Sequence, residues 1–202
     1  MLGPTERPAP RVALTPGARK VLDAASKLFY ERGIHSVGVD TIAAEAGVTK
    51  KTLYDRFGSK DQIVVEYLRA RDEHWRAFLD EQLSGSTGAD RLLAVFDAAA
   101  RWEAEHSPRG CSFVNARAEI PDSEHPAFAL IDEAKQFMLE LFVRLAAEAG
   151  AADPADLGAT LFVLHEGALV AGGIGTVPDA MARARRAAAA LLAGAPAGVE
   201  TA

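Results

Sequence analysis

Apolar side chains recur every three or four residues along most of the chain, which is the spacing of helices with one buried face. Val21, Ala25, Leu28 and Phe29 form the first such stripe, and Gly33 ends it. Longer stripes of the same period follow at residues 59–83, 90–105, 126–149, 154–172 and 178–192. The pattern therefore predicts a chain built largely of helices.

Two short helical patterns meet at a tight turn within Thr41–Lys60. Gly47 follows the first pattern at a position where helices end in a left-handed residue. Thr49 is a good N-cap for the second helix, predicted over residues 50–57. Leu53 and Phe57 are four residues apart and should point together into a core. With the first helix, these patterns predict a three-helix unit containing a helix–turn–helix.

The opposite face of the second helix is basic and rich in hydroxyl groups, which suits a helix that lies in a DNA major groove. Base edges or nearby phosphates are the expected contacts of Lys50, Lys51 and Thr52. Phosphates are the expected contacts of Thr41, Thr49, Tyr54 and Lys60, while Arg56 suits either partner. The alternative is a solvated charged face on which Tyr54 is half-buried.

Charge is divided unevenly along the 202 residues, although the formal net charge is −6. Residues 1–60 contain ten Lys or Arg and six Asp or Glu, a net of +4. Residues 61–202 contain twelve Lys or Arg and twenty-two Asp or Glu, a net of −10. A basic N-terminal part on an acidic body presents only one end to a polyanion, which favours directional DNA binding.

The turn carries a resemblance to a known family. Residues 47–54 (GVTKKTLY), followed by Phe57, Ser59 and Lys60, resemble the signature of the TetR family of one-component bacterial repressors. The resemblance extends over about Arg19–Tyr67. It implies an all-α dimer with a small-molecule pocket in its C-terminal part.

With that resemblance, about nine helices are expected in two domains. Residues 15–60 are the predicted helix–turn–helix DNA-binding domain, and residues 61–194 are the predicted ligand-binding and dimerisation domain. Residues 1–14 are expected to be a disordered arm and residues 195–202 a tail. The segment 110–116 is similar to a short helix that lines the pocket in one subgroup of the family.

The helix predicted at 154–172 is apolar on nearly all sides, so it should be buried on two sides. We expect its second partner to be another subunit, with the helix at 178–192 completing a four-helix interface as in the resembling family. The expected interface residues are Leu161, Leu164, Gly167, Ala171, Ala184, Ala188 and Leu191.

Aromatic side chains and a few polar groups of the C-terminal part suit a ligand pocket, because pockets have mainly apolar walls. The candidates are Trp75, Phe78, Phe96, Trp102, Phe113, Asn115, Arg117, Phe137, Leu141 and His165. The alternative is that most of the aromatic residues belong to the core and that His165 is a core histidine. A small-molecule effector bound there is expected to release a repressor from a palindromic operator.

Cys111 is the only cysteine, so the chain has no intrachain disulfide, which fits a reducing cytosol. A lone cysteine is most often a small buried apolar residue. Because Gly110 precedes it and Arg109 is close, an alternative is a reactive thiol that senses oxidants or electrophiles.

Enzyme chemistry has little support in the sequence. Glu103 and His106 form one Glu-x-x-His pair on a helix, whereas a carboxylate-bridged metal site in a bundle needs two pairs and two further carboxylates. Ser112 lacks His and Asp partners in a nucleophile motif. We predict no catalytic residue, metal or cofactor, and keep a helical metal enzyme or ligand carrier as a remote alternative.

A cytoplasmic location is expected for two reasons. No apolar run approaches the ~18 residues of a membrane span. The N-terminal residues also lack the apolar centre of a secretion signal.

Overall fold

The structure, a computed structural model, describes residues 11–106 and 109–194. Those residues form nine α-helices and no strand, which confirms the predicted all-α fold. The helices are α1 (Pro16–Arg32), α2 (Val39–Glu45), α3 (Lys50–Phe57), α4 (Lys60–Leu83), α5 (Gly88–His106), α6 (Ser112–Glu119), α7 (Ala127–Glu148), α8 (Pro154–Ile174) and α9 (Ala180–Gly194). The predicted tail at 195–202 and residues 1–10 of the predicted arm lie outside the described residues.

The helices form two compact units. Of the described residues, the first contains those up to Glu73 together with Ser112–Glu133, and the second contains those from His74 to Cys111 and from Ala134 onward. The first unit is thus larger than the three-helix domain predicted at 15–60, because it includes the start of α4 and all of α6.

A single apolar core holds the helix–turn–helix in the first unit. Val21 and Leu28 of α1 pack with Ile42 of α2 and with Leu53 and Phe57 of α3. All five side chains are almost completely buried. The two core residues of α3 therefore determine the rotation of that helix, as their four-residue spacing predicts.

The turn between α2 and α3 closes as its sequence predicts. Gly47 has φ +64°, and the N–H of Val48 donates to the carbonyl of Ala43 at 3.0 Å. The backbone N–H of Thr52 then donates to Oγ1 of Thr49 at 3.1 Å, which caps α3. The left-handed backbone at Gly47 and the cap at Thr49 follow each other closely, and together they fix the angle between α2 and α3.

Two side chains from other helices hold the loop between α1 and α2. Lys60 of α4 donates from Nζ to the carbonyl of Ile34 at 2.6 Å. Glu119 of α6 accepts from the backbone N–H of His35 at 3.0 Å and lies against Gly33. Both α4 and α6 are therefore attached to the helix–turn–helix within the first unit.

In the second unit, α8 is packed closely on one side and open on another. A Cβ at Gly158 would lie 2.6 Å from Cα of Val143, so α7 and α8 approach each other at backbone distance. Leu161 packs into the core, which α9 completes with Met181 and Ala188.

The expectation that no apolar run approaches membrane length needs a correction at α8. An 18-residue stretch of this 21-residue helix has a mean hydropathy of 1.5, so the helix is long and apolar enough to span a membrane by length and composition. Among the described residues, α8 is the one helix with this length and apolar character. A helix that is buried between two subunits is also long and apolar on most sides.

The buried position of Leu53 leads to a stability prediction. Leu53→Ala should lower the free energy of unfolding by about 2 to 5 kcal/mol, because it leaves a cavity beneath the turn. Urea unfolding followed by circular dichroism measures the change. Lys51→Ala, an exposed change on the same helix, is the control and should have little effect; equal losses in the two variants would contradict this core.

Candidate functional site

The side of α3 opposite Leu53 forms an exposed cationic face. Lys50, Lys51 and Arg56 are exposed, and the ring of Tyr54 is 41% exposed. Because an eight-residue helix with these side chains fits a major groove, the face suits contact with base edges and phosphates.

Hydroxyl groups lie at the starts of both helices of the motif. Oγ1 of Thr49 and Oγ1 of Thr52 are 2.9 Å apart, and Thr52 is half-buried. Thr41 is exposed in the first turn of α2, whose N-cap Gly38 has no side chain to cap it. The four residues Thr41, Thr49, Lys50 and Lys51 thus lie on or beside the two helix starts.

Two acidic residues that the sequence analysis missed lie on this surface. Nζ of Lys50 is 3.0 Å from Asp40 of α2, and Nζ of Lys51 is 2.8 Å from Asp55. Hydrogen bonds to these carboxylates, and then their charge, raise the pKa of both lysines. All four groups are exposed, so the pairs are weak and screened by salt. The i,i+4 spacing of Lys51 and Asp55 was a usable signal.

Lys60 has a partner within the protein, and its phosphate contact stays a prediction. Its ammonium is half-buried, donates to Ile34 as described above, and lies 5.9 Å from the centre of the Phe29 ring. Burial lowers the pKa of Lys60. Lys60 thus holds the α1–α2 loop through a backbone carbonyl.

Three of the predicted ligand residues meet in one aromatic cluster of the second unit. The Trp102 ring lies 5.4 Å from that of Trp75 and 5.3 Å from that of Phe78, measured between centroids. His74 and His106 join the cluster at 4.9 and 4.4 Å from Trp102, and sequence reasoning missed both as pocket candidates. Aromatic faces with two imidazoles can bind an apolar ring that carries a polar group.

A second group of predicted ligand residues lies deeper in the same unit. Phe96 and Leu141 are buried in its core, and the His165 ring lies 5.6 Å from that of Phe142. Both ring nitrogens of His165 are buried without a hydrogen bond in the described chain. Buried imidazoles usually have a partner, so these nitrogens indicate a place for a polar ligand atom or water.

The remaining predicted ligand residues are distributed differently. Phe137 lies beneath the guanidinium of Arg76, whose Cζ is 3.9 Å from the ring centre. Phe113, Asn115 and Arg117 belong to α6 in the first unit. Asn115 and Arg117 are exposed, and the Arg117 guanidinium stacks on Phe128 at 3.9 Å.

The predicted subunit interface needs a correction at Leu161, Ala184 and Ala188. Their exposed fractions are 0%, 7% and 0%, because they pack into the core of their own unit. They are therefore not available to a second subunit.

Other residues of α8 form an exposed apolar face in their place. Val163, Val170 and Ile174 are 68%, 45% and 73% exposed. They lie on one side of the helix with Gly167, because the spacing is 163, 167, 170 and 174. The four remaining predicted interface residues are exposed or half-buried and stay available: Leu164, Gly167, Ala171 and Leu191.

A helix–turn–helix with an exposed cationic face, carried by an otherwise helical chain, defines the class of DNA-binding regulators. Residues 21–67 match the family described as "Bacterial regulatory proteins, tetR family". Residues 88–188 match the "Tetracyclin repressor-like, C-terminal domain". The chain belongs to the TetR family of transcriptional regulators. Regulators of this family bind operator DNA, act as dimers and are not enzymes.

Individual relatives agree with this assignment. The solved structure of SCO4454, a TetR-family transcriptional regulator from Streptomyces coelicolor, is 32% identical with a TM-score of 0.81, and covers 89% of this chain and 95% of that one. The transcriptional activator FasR of Mycolicibacterium smegmatis is 35% identical over 39% of this chain and 36% of its own length. The repressor KstR2 of Rhodococcus jostii is 33% identical over 59% of this chain. The match spans half of KstR2's length.

The acidic partners of Lys50 and Lys51 lead to a prediction about DNA affinity. The double change Asp40→Asn and Asp55→Asn should tighten DNA binding by roughly tenfold at about 50 mM salt, because it removes two charges that repel phosphates. Fluorescence anisotropy across a salt series measures the affinity.

The control for that experiment is Glu45→Gln, which breaks another exposed pair, with Lys27 on α1 (2.9 Å). Equal tightening in the control would show a general charge effect, and no tightening in the double variant would contradict the assigned role of the two pairs.

Proposed function

We propose that this chain binds a palindromic operator as a homodimer, represses transcription there, and is released by a small-molecule effector. Residues 15–60 contact DNA in this proposal, and residues 61–194 bind the effector and form the dimer. One observation carries the proposal: Leu53 and Phe57 are buried, while Lys50, Lys51 and Tyr54 are exposed on the same helix.

The DNA contacts divide by chemistry. Lys50, Lys51 and Thr52 lie at the start of α3, the end of a reading helix that reaches base edges. Thr41, Thr49 and Tyr54 contact phosphates, and Arg56 suits either role. In a symmetric dimer the two reading helices lie about one helical turn of DNA (~34 Å) or more apart, so the operator is a palindrome.

Dimerisation uses the exposed side of α8. Val163, Val170 and Ile174 are large apolar side chains in water, and exposed apolar patches of this kind mark interfaces. Gly167 in the same row lets a partner helix approach closely, since no atom lies within 4 Å of its missing Cβ. Leu191 of α9 is exposed as well and extends the patch.

Release by an effector requires a preference for one conformation. Moving a population from 1:99 to 99:1 needs roughly 5.5 kcal/mol of differential binding. The aromatic cluster around Trp102 and the unpartnered nitrogens of His165 support a binding site for an apolar molecule with a polar group. Helix α4 runs from the first unit into the second and is the proposed carrier of the signal.

Repression is proposed because the relative KstR2 is named a transcriptional repressor, although the relative FasR is named a transcriptional activator. A reporter gene placed behind the operator tests the sign. Reporter expression should rise when the gene for this protein is deleted; a fall would mean activation.

Changes on the cationic face should abolish operator binding. Lys50→Ala combined with Tyr54→Ala removes one charged and one aromatic contact, each worth roughly 1–3 kcal/mol, so affinity should fall by at least about thirtyfold. Fluorescence anisotropy with operator DNA measures this. Arg144→Ala, an exposed cation on α7, should bind normally, and unchanged binding by the double variant would refute the reading helix.

Charge on the exposed side of α8 should separate the subunits. Val163→Asp with Ile174→Asp would bury two carboxylates in the proposed interface, which is unfavourable by several kcal/mol. Light scattering after size-exclusion chromatography should show monomers. Leu14→Asp, which changes an exposed leucine of the first unit, should remain dimeric. A double variant that stays dimeric would exclude this face as the interface.

A further inference from the structure

Cys111 is not isolated in the fold, because an ammonium group lies against its sulfur. Nζ of Lys135 on α7 is 3.4 Å from Sγ of Cys111 and 2.5 Å from Oε2 of Glu166 on α8. Cys111 is half-buried, and the side chains of Lys135 and Glu166 are 25% and 21% exposed. A small molecule can therefore reach a thiol that already has a cationic neighbour.

The charges of this cluster favour an ammonium and a carboxylate. Burial by itself lowers the pKa of Lys135, but the neighbouring Cys111 and Glu166 raise it above its ordinary value. Burial raises the pKa of Glu166, but His165 and Lys135 lower it below its ordinary value. The ammonium of Lys135 thus contacts both the sulfur of Cys111 and the carboxylate of Glu166.

The cluster also contains polar atoms without a partner. Nδ1 of His165 is 3.4 Å from Oε1 of Glu166, a long polar contact, and neither atom has a hydrogen bond of normal geometry within the described residues. His165 is 3% exposed, and its Nε2 is unpartnered as well. A buried imidazole in this state indicates a missing polar partner, such as an oxygen of a bound molecule.

We propose that Cys111 is the reaction site for small uncharged electrophiles of the α,β-unsaturated carbonyl class, with Lys135 as the residue that positions and stabilises its thiolate. His165 offers a ring nitrogen to the carbonyl oxygen of the incoming molecule. The proposal names a class of effector for the regulator proposed above, and its regulatory part rests on that function.

The reaction is an addition in which atoms and electrons balance. The thiolate sulfur attacks the β-carbon, a sulfur–carbon bond forms, and the carbon–carbon π bond breaks. The electron pair moves onto the carbonyl oxygen, and the resulting enolate takes a proton from water to give a thioether. No oxidant is needed and nothing leaves. Addition suits a chain with one cysteine, since a disulfide requires a second thiol.

An adduct at Cys111 has little space on the α8 side. The preceding Gly110 is buried against α8, and a Cβ at Gly173 would lie 2.8 Å from Cα of Gly110. Backbone meets backbone there, so the chain at Gly110 has no room to shift toward α8, and in this proposal an added group moves the chain at Cys111 away from α8. The next residue, Ser112, is the first of α6.

Helix α6 connects this displacement to the DNA-binding part by the chain itself. Glu119, its last residue, accepts the hydrogen bond from His35 in the α1–α2 loop. A shift of α6 weakens this attachment and so alters the helix–turn–helix. Alkylated protein should therefore bind operator DNA less tightly.

N-ethylmaleimide is an uncharged electrophile of this class and labels the chain's single cysteine. The rate of labelling at pH 7, followed by the mass of the intact protein, therefore tests the proposed reaction. Wild-type protein should react faster than the same protein unfolded in urea. Lys135→Met should slow the native reaction by roughly tenfold through loss of the cation. Lys135→Arg should restore the rate, and Glu166→Gln, which keeps the cation, should not slow it. Arg144→Met is the control on α7.

Two results would overturn the reaction site: equal rates in native and unfolded protein, or a rate that Lys135→Met leaves unchanged.

For regulation, labelled wild-type protein should bind an operator fragment at least about tenfold more weakly than unlabelled protein, while Cys111→Ser treated with N-ethylmaleimide should bind normally. Labelling without a change in affinity would overturn the sensory role. Failure of the unlabelled protein to bind any DNA would instead overturn the proposed function, and leave the labelling rates to decide the site.

Discussion

The burial of Leu53 and Phe57 is the constraint on which the DNA-binding surface depends. Both side chains lie on one side of an eight-residue helix and pack against α1 and α2. A helix held by that side has one free side, so Lys50, Lys51 and Tyr54 face water. The cationic surface thus follows from apolar packing, and the turn at Gly47 supplies the angle.

The surroundings of this helix moderate its charge. Asp40 and Asp55 form ion pairs with Lys50 and Lys51 in the free protein, and DNA phosphates have to replace these carboxylates on binding. The net charge of −10 on residues 61–202 repels DNA from the rest of the chain. Together these charges favour binding in one orientation and make affinity sensitive to salt.

Sequence patterns predicted the helices, the capped start of α3 and its buried side, because each depends on residues within about four positions of one another. They did not indicate the hydrogen bond from Lys60 to Ile34, since a long side chain can bind a partner that is distant in sequence. They also misassigned Leu161, because a helix that is apolar all round does not show which side meets its own subunit. The contact between Cys111 and Lys135 joins a loop to α7, and no local pattern indicated it.

The most direct test of operator binding is selection of genomic DNA fragments by the purified dimer, followed by sequencing. Binding by two symmetry-related α3 helices predicts enrichment of one palindrome whose half-sites are about one helical turn apart or more. The selection is done at low salt, where phosphate attraction is strongest, with protein as purified and with protein refolded to remove bound ligand. Absence of an enriched palindrome in both samples would contradict a sequence-specific DNA-binding function.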